Sequence, residues 1–378
     1  MRLSPALAFC ASALALSGCM AARPAGPMPA ATLAGTGPVP PPLGLMAVMP
    51  VGPAPAWAPD IDPQMLAVVE QLVSFEQPPF PETTPFQARN ETSAADAVAA
   101  LAVKAGMPPA PPAVDIAHRV LPVGPPEGTL VRMYTPLAPM QGPRPVVVYY
   151  HGGGWVIADL NTYEAGAAAL AVQTGAVVVS VAYRLAPEAP FPAQHDDAFA
   201  AYEWVTQNAA QIGGDPARVA TAGESAGGNL AVAVAMTARE RGVRLPVHVL
   251  AVYPIADGDT QSPSYDRYAN AAPLSRGGMQ WFFRHAAPTA AAAGDPRVSL
   301  VRANLAGLPP TTIVNAQIDP LTSDGEELAA ALTRAGVANE RRVFDGVTHE
   351  FFGMAAVLDQ AVAAQAYAAG RLRAAFGM

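Results

Sequence analysis

Apolar positions along this chain come in two rhythms that alternate for most of its length. Short, nearly unbroken apolar runs such as Val146-Val147-Val148-Tyr149-Tyr150 and Val177-Val178-Val179-Ser180-Val181 are rich in β-branched residues and show no period-two alternation. Strands covered by helices on both faces read this way. Strands are predicted at residues 118–123, 129–135, 145–150, 176–182, 218–222, 247–253, 311–316 and 340–345. Between them, apolar residues recur every three or four positions over 163–174, 195–211, 229–241, 326–335 and 357–376, which predicts crossover helices. The expected class is α/β: a mostly parallel eight-stranded sheet with helices on both faces.

Two more helical patterns precede the first strand. Asp62-Pro63 opens one, with Met65, Leu66, Val69, Leu72 and Val73 on one face and the proline at a position the first turn accepts. Prolines 78, 79, 81 and 85 break the chain. Ser93 then caps a second helix running to Gly106, with Ala97, Val98, Leu101, Ala102 and Ala105 on one face. Neither helix can serve a strand crossover, so residues 60–110 are expected to form an N-terminal helical cap over a domain spanning 111–378.

Ahead of that cap the pattern changes twice. Arg2 followed by the apolar stretch from Leu3 to Leu16 reads as an export leader, too short to span a bilayer. It ends in Leu16-Ser17-Gly18-Cys19, which resembles the lipobox of bacterial lipoproteins, where the leader is cut before a cysteine that is then acylated. That resemblance implies a signal peptide over 1–18, lipidation at Cys19 and a lipid-anchored protein of the bacterial cell envelope. Met20 after the cysteine points, by the same resemblance, to the outer membrane. An ordinary signal peptide cut at another small-residue site is the competing reading. Residues 19–59 are almost wholly Pro, Ala, Gly, Met and Val, without charge between Arg23 and Asp60, and predict an extended tether.

Composition removes several function classes. A net charge of -8 with only 14% charged residues leaves no basic surface for nucleic acid. The two cysteines, Cys10 and Cys19, both precede the folded part, which can therefore hold neither a disulfide nor a cysteine-ligated metal. No histidine cluster has metal-ligand spacing, and neither metal nor cofactor is expected. Nothing in the sequence speaks to oligomeric state.

Candidate chemistry concentrates at the ends of predicted strands. Gly223-Glu224-Ser225-Ala226-Gly227-Gly228 lies between the strand ending at Ala222 and the helix from Asn229. A G-x-S-x-G at a strand-to-helix elbow exposes the serine hydroxyl, and its two flanking glycines are small because a β-carbon would strike the adjoining backbone. The amide of Ala226 and the helix N-terminus then face any developing oxyanion. After the third strand stands His151-Gly152-Gly153-Gly154-Trp155, a loop able to turn its amides inward. A phosphate-binding loop is the alternative, but no G-K-[ST] signature follows.

With these motifs in order, the chain resembles the bacterial hormone-sensitive-lipase-like branch of the α/β hydrolases from about Asp60 to its C-terminus. The resemblance implies an α/β-hydrolase fold and a catalytic domain over 111–378. Gly153, Gly154 and Ala226 would supply the oxyanion hole, with His151 orienting the loop. Tyr183-Arg184-Leu185-Ala186-Pro187-Glu188 is a further family mark, although the family usually has aspartate where this chain has Ala182. The acid and base should follow the serine in the order Asp or Glu, then His. Asp319 in Asp319-Pro320-Leu321 fits the acid and His349, 30 residues later, fits the base; Asp324 is the competing acid. His118, His195, His248 and His285 lack a partner motif and are assigned structural or surface roles. Glu224, usually Asp or Thr in the family, and Trp155 are candidates for the pocket wall; Glu224 could instead anchor the elbow loop through hydrogen bonds or stand in solvent.

The implied activity is a serine carboxylesterase acting on short- to medium-chain acyl esters, with a small-molecule ester as substrate. An amidase or a deacetylase of glycans or xenobiotics would use the same residues. A non-catalytic binding protein of this fold would lack the histidine, which is present here.

Overall fold

The computed structural model describes residues 48–107 and 110–378. The predicted leader, Cys19 and the tether up to residue 47 lie outside the described residues. The strands are β1 (Val114–Leu121), β2 (Thr129–Pro136), β3 (Arg144–Tyr150), β4 (Val177–Val181), β5 (Gly214–Glu224), β6 (Val249–Val252), β7 (Thr311–Ile318) and β8 (Asn339–Thr348). They form one sheet in the order β1-β2-β4-β3-β5-β6-β7-β8. Pairing is antiparallel for β1 with β2 and β2 with β4, and parallel from β4 across to β8. The α/β class and the strand number match the sequence expectation. The edge strand β1 starts four residues earlier than expected and ends at Leu121, because Pro122 has no amide to donate to a ladder.

Helices in chain order are α1 (Pro63–Val73), α2 (Pro85–Ala88), α3 (Ala94–Lys104), α4 (Glu164–Thr174), α5 (Ala193–Asn208), α6 (Ala226–Glu240), α7 (Pro263–Arg267), α8 (Arg276–Ala286), α9 (Ala290–Ala293), α10 (Thr322–Arg334) and α11 (Asp359–Ala375). The β3 side chains alternate between two cores: Val146, Val148 and Tyr150 pack with α5 and α6, and Val147 and Tyr149 pack with α4 and α11. That two-sided burial is why the β3 run is apolar throughout. The chain passes from β3 to β4 on one side and then returns to β5 on the other, so the strand order reverses between β3 and β5. Loops leaving the carboxyl ends of those two strands diverge and leave a crevice.

The cap is partly fused to the body. Asp62 caps α1 by accepting from the amide of Gln64 at 2.8 Å, and its own amide donates to the Gly346 carbonyl at 2.8 Å. Met65, Val68 and Ala97 are fully buried in the same core as Tyr149 and Phe344. Val48 and Ala58 are buried there as well, and the amides of Val51 and Gly52 each donate to the Glu70 carboxylate at 2.7 Å. This corrects the extended-tether reading at those anchor points, while most of residues 49–57 stay exposed. Low charge and many prolines look the same in a spacer and in an apolar strap, so composition did not separate the two.

A second cap element was not anticipated. The connection from β6 to β7 carries α7, α8 and α9. In α8, Gly277 and Gly278 weaken the first turn, which hides a helix whose Met279, Trp281, Phe282 and Phe283 are buried. Ser275 offsets this by capping the Gly278 amide at 3.0 Å. The two cap segments lock together: Trp281 Nε1 donates to the Thr83 carbonyl at 3.0 Å, and the Phe80 and Trp281 rings stack with centroids 5.6 Å apart.

Candidate active site

Ser225 sits between the end of β5 and the start of α6 with φ 57° and ψ -118°, a backbone region that non-glycine residues rarely occupy. The turn is held by the Ser225 amide, which donates to the Val252 carbonyl at 2.8 Å, and by its carbonyl, which accepts from the Asn229 amide at 3.1 Å. A β-carbon on Gly227 would lie 2.0 Å from the Tyr150 carbonyl oxygen, and one on Gly223 would lie 2.2 Å from the Gly227 carbonyl oxygen. The elbow therefore closes only because both flanking positions are glycine. Ala226 is the first residue of α6, so its amide has no acceptor within the helix.

His349 and Asp319 arrive from the ends of β8 and β7. Imidazole Nε2 lies 2.9 Å from Ser225 Oγ, and Nδ1 lies 2.7 Å from Asp319 Oδ2. The other Asp319 oxygen accepts from the Leu321 amide at 2.9 Å. All three side chains are buried. Burial alone would lower the His349 pKa, but the Asp319 carboxylate outweighs it and holds the imidazole above its ordinary value of 6.5. Asp324 does not reach the histidine. It accepts from the amides of Ala256 at 2.8 Å and Asp257 at 3.1 Å, and so fastens the start of the β6–β7 connection.

The glycine loop leaves β3 beside this group. Gly153 and Gly154 have φ of 91° and 57°, and among the described residues their amides meet no acceptor. His151 is buried beneath, stacked on Tyr183 with centroids 4.3 Å apart; burial lowers its pKa to about 4, so it is neutral. The Tyr183 hydroxyl donates to the His151 carbonyl at 2.8 Å. The motif that sequence reading left without a role thus holds the loop from below. Its Ala186 amide donates to the Trp155 carbonyl at 2.9 Å, and Arg184 grips Asp197 through two nitrogens at 2.7 Å each.

Ser225, His349, Gly153 and Gly154 line a cavity of about 540 Å³ whose walls come from both cap segments, including Leu72, Phe80, Leu274 and Phe282. Trp155 and Glu224 are not on this wall, which corrects the expectation for both. Trp155 turns at φ 61° and buries its ring in the core, 6.3 Å from the Phe283 ring. Glu224 lies behind the serine, accepting from the Tyr149 and Tyr253 hydroxyls, and Gly166 leaves it room. Burial pushes its pKa up to about 7. Among the wall residues that the sequence did not signal are Tyr163 and Glu350, whose carboxylate accepts from the Tyr163 hydroxyl. Only the adjacency of Glu350 to His349 could have signalled it. Among the described residues, no group of histidine and acidic side chains could hold a metal ion.

Comparison with known proteins gives this geometry a context. A family profile described as the alpha/beta hydrolase fold matches residues 147–353. Carboxylesterase NlhH of Mycobacterium tuberculosis is 42% identical over 245 residues, covering 62% of this chain and 74% of that one. An ethyl acetate hydrolase of Pseudomonas putida is 35% identical over 61% of this chain and 74% of its own. The crystal structure of a thermostable esterase from Pseudomonas putida superposes with a TM-score of 0.76 at 29% identity, covering 84% of this chain and 98% of that one. The chain belongs to the α/β-hydrolase family, in its hormone-sensitive-lipase-like branch. It is an ester hydrolase.

The buried Glu224 generates a pH prediction. Its folded pKa of about 7 lies above the ordinary 4.5, so its contribution to stability is fully present below 4.5 and is lost as pH rises through 7. Glu224→Gln removes that titration. The stability of the variant relative to the wild type, read from urea midpoints, should therefore rise between pH 4.5 and 7, by on the order of 1–3 kcal/mol. A difference independent of pH would mean that the carboxyl titrates alike in both states.

Proposed function

We propose that this protein hydrolyses short- to medium-chain acyl esters through an acyl-enzyme on Ser225, with His349 as general base and acid and Asp319 orienting the imidazole. The observation that carries the reading is the unbroken relay from Ser225 Oγ to His349 Nε2 and from His349 Nδ1 to Asp319, at 2.9 and 2.7 Å, at the foot of the capped cavity. His349 takes the serine proton as Oγ attacks the ester carbonyl. The oxyanion then faces the amides of Gly153, Gly154 and Ala226, donors fixed before reaction and shielded from water. The imidazolium, stabilised by Asp319, returns the proton to the departing alcohol. A second cycle uses water in place of the serine and releases the acid.

Ser225→Ala, His349→Ala and Asp319→Ala should each lower kcat by roughly 10⁴- to 10⁶-fold without unfolding the protein. Asp324→Ala should instead retain most activity at temperatures where it is folded, since it loses an anchor of the β6–β7 connection. A normally active Ser225→Ala protein would overturn the assignment. The base must be neutral to act, so kcat/KM should fall as pH drops through the raised His349 pKa, with its acid limb above 6.5. In Asp319→Asn that limb should move to lower pH.

Chain length is limited by the cap. A methylene in an apolar pocket contributes about 1–3 kcal/mol, so kcat/KM should climb over the first few acyl carbons and fall once the chain meets the wall. Phe282, which packs against Gly154 and lines the cavity, is part of that wall. Phe282→Ala should shift the optimum to longer acyl chains in a series from acetate to palmitate. An unchanged profile would remove α8 from the limit.

Anchoring at the membrane through acylated Cys19 is the remaining part of the proposal, and it is supported by the sequence Leu16-Ser17-Gly18-Cys19. Expressed in a bacterial host, the wild type should fractionate with membranes and Cys19→Ser with the soluble envelope fraction. A soluble wild type with its N-terminus cut elsewhere would refute it.

A further inference from the structure

Glu350 is an ionisable pocket residue that the proposed chemistry does not use. It follows His349 directly, yet its carboxyl lies on the wall of the cavity that holds Ser225. The Tyr163 hydroxyl donates to Oε1, and among the described residues Oε2 has no hydrogen-bond partner. One oxygen is thus fixed and the other is left for the cavity.

Holding a glutamate here is costly in two ways. Its φ is 72°, a left-handed conformation that glycine would adopt more readily. Burial also raises its pKa, against the pull of the His349 imidazole and the Tyr163 hydroxyl, and the Asp319 charge adds to the rise. A residue kept where backbone and electrostatics both oppose it points to a role for the carboxyl group itself.

The rest of the cavity gives that role a sign. Its wall also carries the Glu91 carboxyl and the aromatic rings of Phe80, Tyr163 and Phe282. The Arg89 guanidinium reaches the wall but is already committed. Its Nε donates to the Val156 carbonyl at 2.7 Å, Nη2 to the Ala186 carbonyl at 2.7 Å, and Nη1 and Nη2 to Glu188 at 2.8 and 2.7 Å. A carboxylate with a free oxygen in a cavity that aromatic residues also line suits a weakly hydrated organic cation, which gains from the charge and from ring quadrupoles. The net charge of -8 favours the approach of the same substrates.

We propose that Glu350 makes this pocket selective for esters that carry an ammonium group, through direct contact of its carboxylate with the substrate cation. This rests on Ser225 being the nucleophile, and the two readings fail in different ways. The test compares kcat/KM for acetylcholine and for its uncharged isostere 3,3-dimethylbutyl acetate, in wild type and Glu350→Gln, in mildly alkaline buffer. The ratio is taken within each protein, so any common loss from disturbing Tyr163 or His349 cancels.

The wild type should favour the cationic ester by about tenfold, and Glu350→Gln should bring the ratio close to one. Should the variant not fold, the wild type alone decides: tetramethylammonium should inhibit hydrolysis of the neutral ester competitively, whereas tert-butanol at equal concentration should not. A wild-type ratio at or below one, a ratio unchanged by Glu350→Gln, or absence of competition by tetramethylammonium each overturns the proposal. Failure of the wild type to hydrolyse any ester overturns the earlier reading, and this one with it.

Discussion

The close approach of two backbones, where β5 turns into α6 against the end of β3, is the constraint on which the rest of the site depends. Tyr150 and Gly223 are register partners in β3 and β5, and Gly227 passes so near the Tyr150 carbonyl that no side chain fits between them. That approach forces Ser225 into its strained conformation and aims its hydroxyl out of the elbow. It also places the glycine loop that leaves β3 next to the first turn of α6. Because the strand order reverses there, the two loops diverge enough to admit a substrate. The Val252 carbonyl, at the end of the next strand, holds the Ser225 amide and ties the elbow to the sheet.

Around this elbow lie three carboxyl groups whose surroundings set them apart. Asp319 is bound to His349 through one oxygen and to a backbone amide through the other. Among the described residues, the hydrogen-bond partners of the Glu224 carboxyl are two tyrosine hydroxyls, and burial raises its pKa in spite of them. Glu350 has one tyrosine and one side open to the cavity. The Tyr253 ring lies 4.6 Å from the His349 ring while its hydroxyl reaches Glu224, so the imidazole is packed as well as hydrogen-bonded. Support of this kind holds the serine and histidine side chains in one mutual arrangement.

The cavity over the elbow is built from segments far apart in the chain. One face comes from residues 72–94, ahead of the sheet, and the other from the β6–β7 connection. Their junction is the stacked pair Phe80 and Trp281, with Arg89 fastening the first segment to the loops after β3 and β4. Both α1 and α3 share the core of the catalytic sheet, which fixes the first segment at its two ends.

Several features were legible from the sequence because their physics is local. A parallel sheet needs apolar strands and amphipathic crossovers, an elbow needs small residues on both sides of the serine, and helices α1 and α3 declare themselves through Asp62 and Ser93. The positions of Ser225, Asp319 and His349 followed from motifs at strand ends. What depended on long-range packing was not legible. Whether Glu224 and Trp155 face the cavity or the core turns on a single backbone rotation at the elbow and at the glycine loop, and both face inward. The role of Tyr183 required the stacking of two chain segments, and α8 was masked by the glycines of its first turn. Glu350 drew no notice because a carboxyl after a histidine is unremarkable until the fold sets it, with a free oxygen, on the wall of the pocket. Side-chain chemistry at fixed spacing is written in the chain, whereas burial, which decides the charge and contacts of each group, exists only once distant segments have packed.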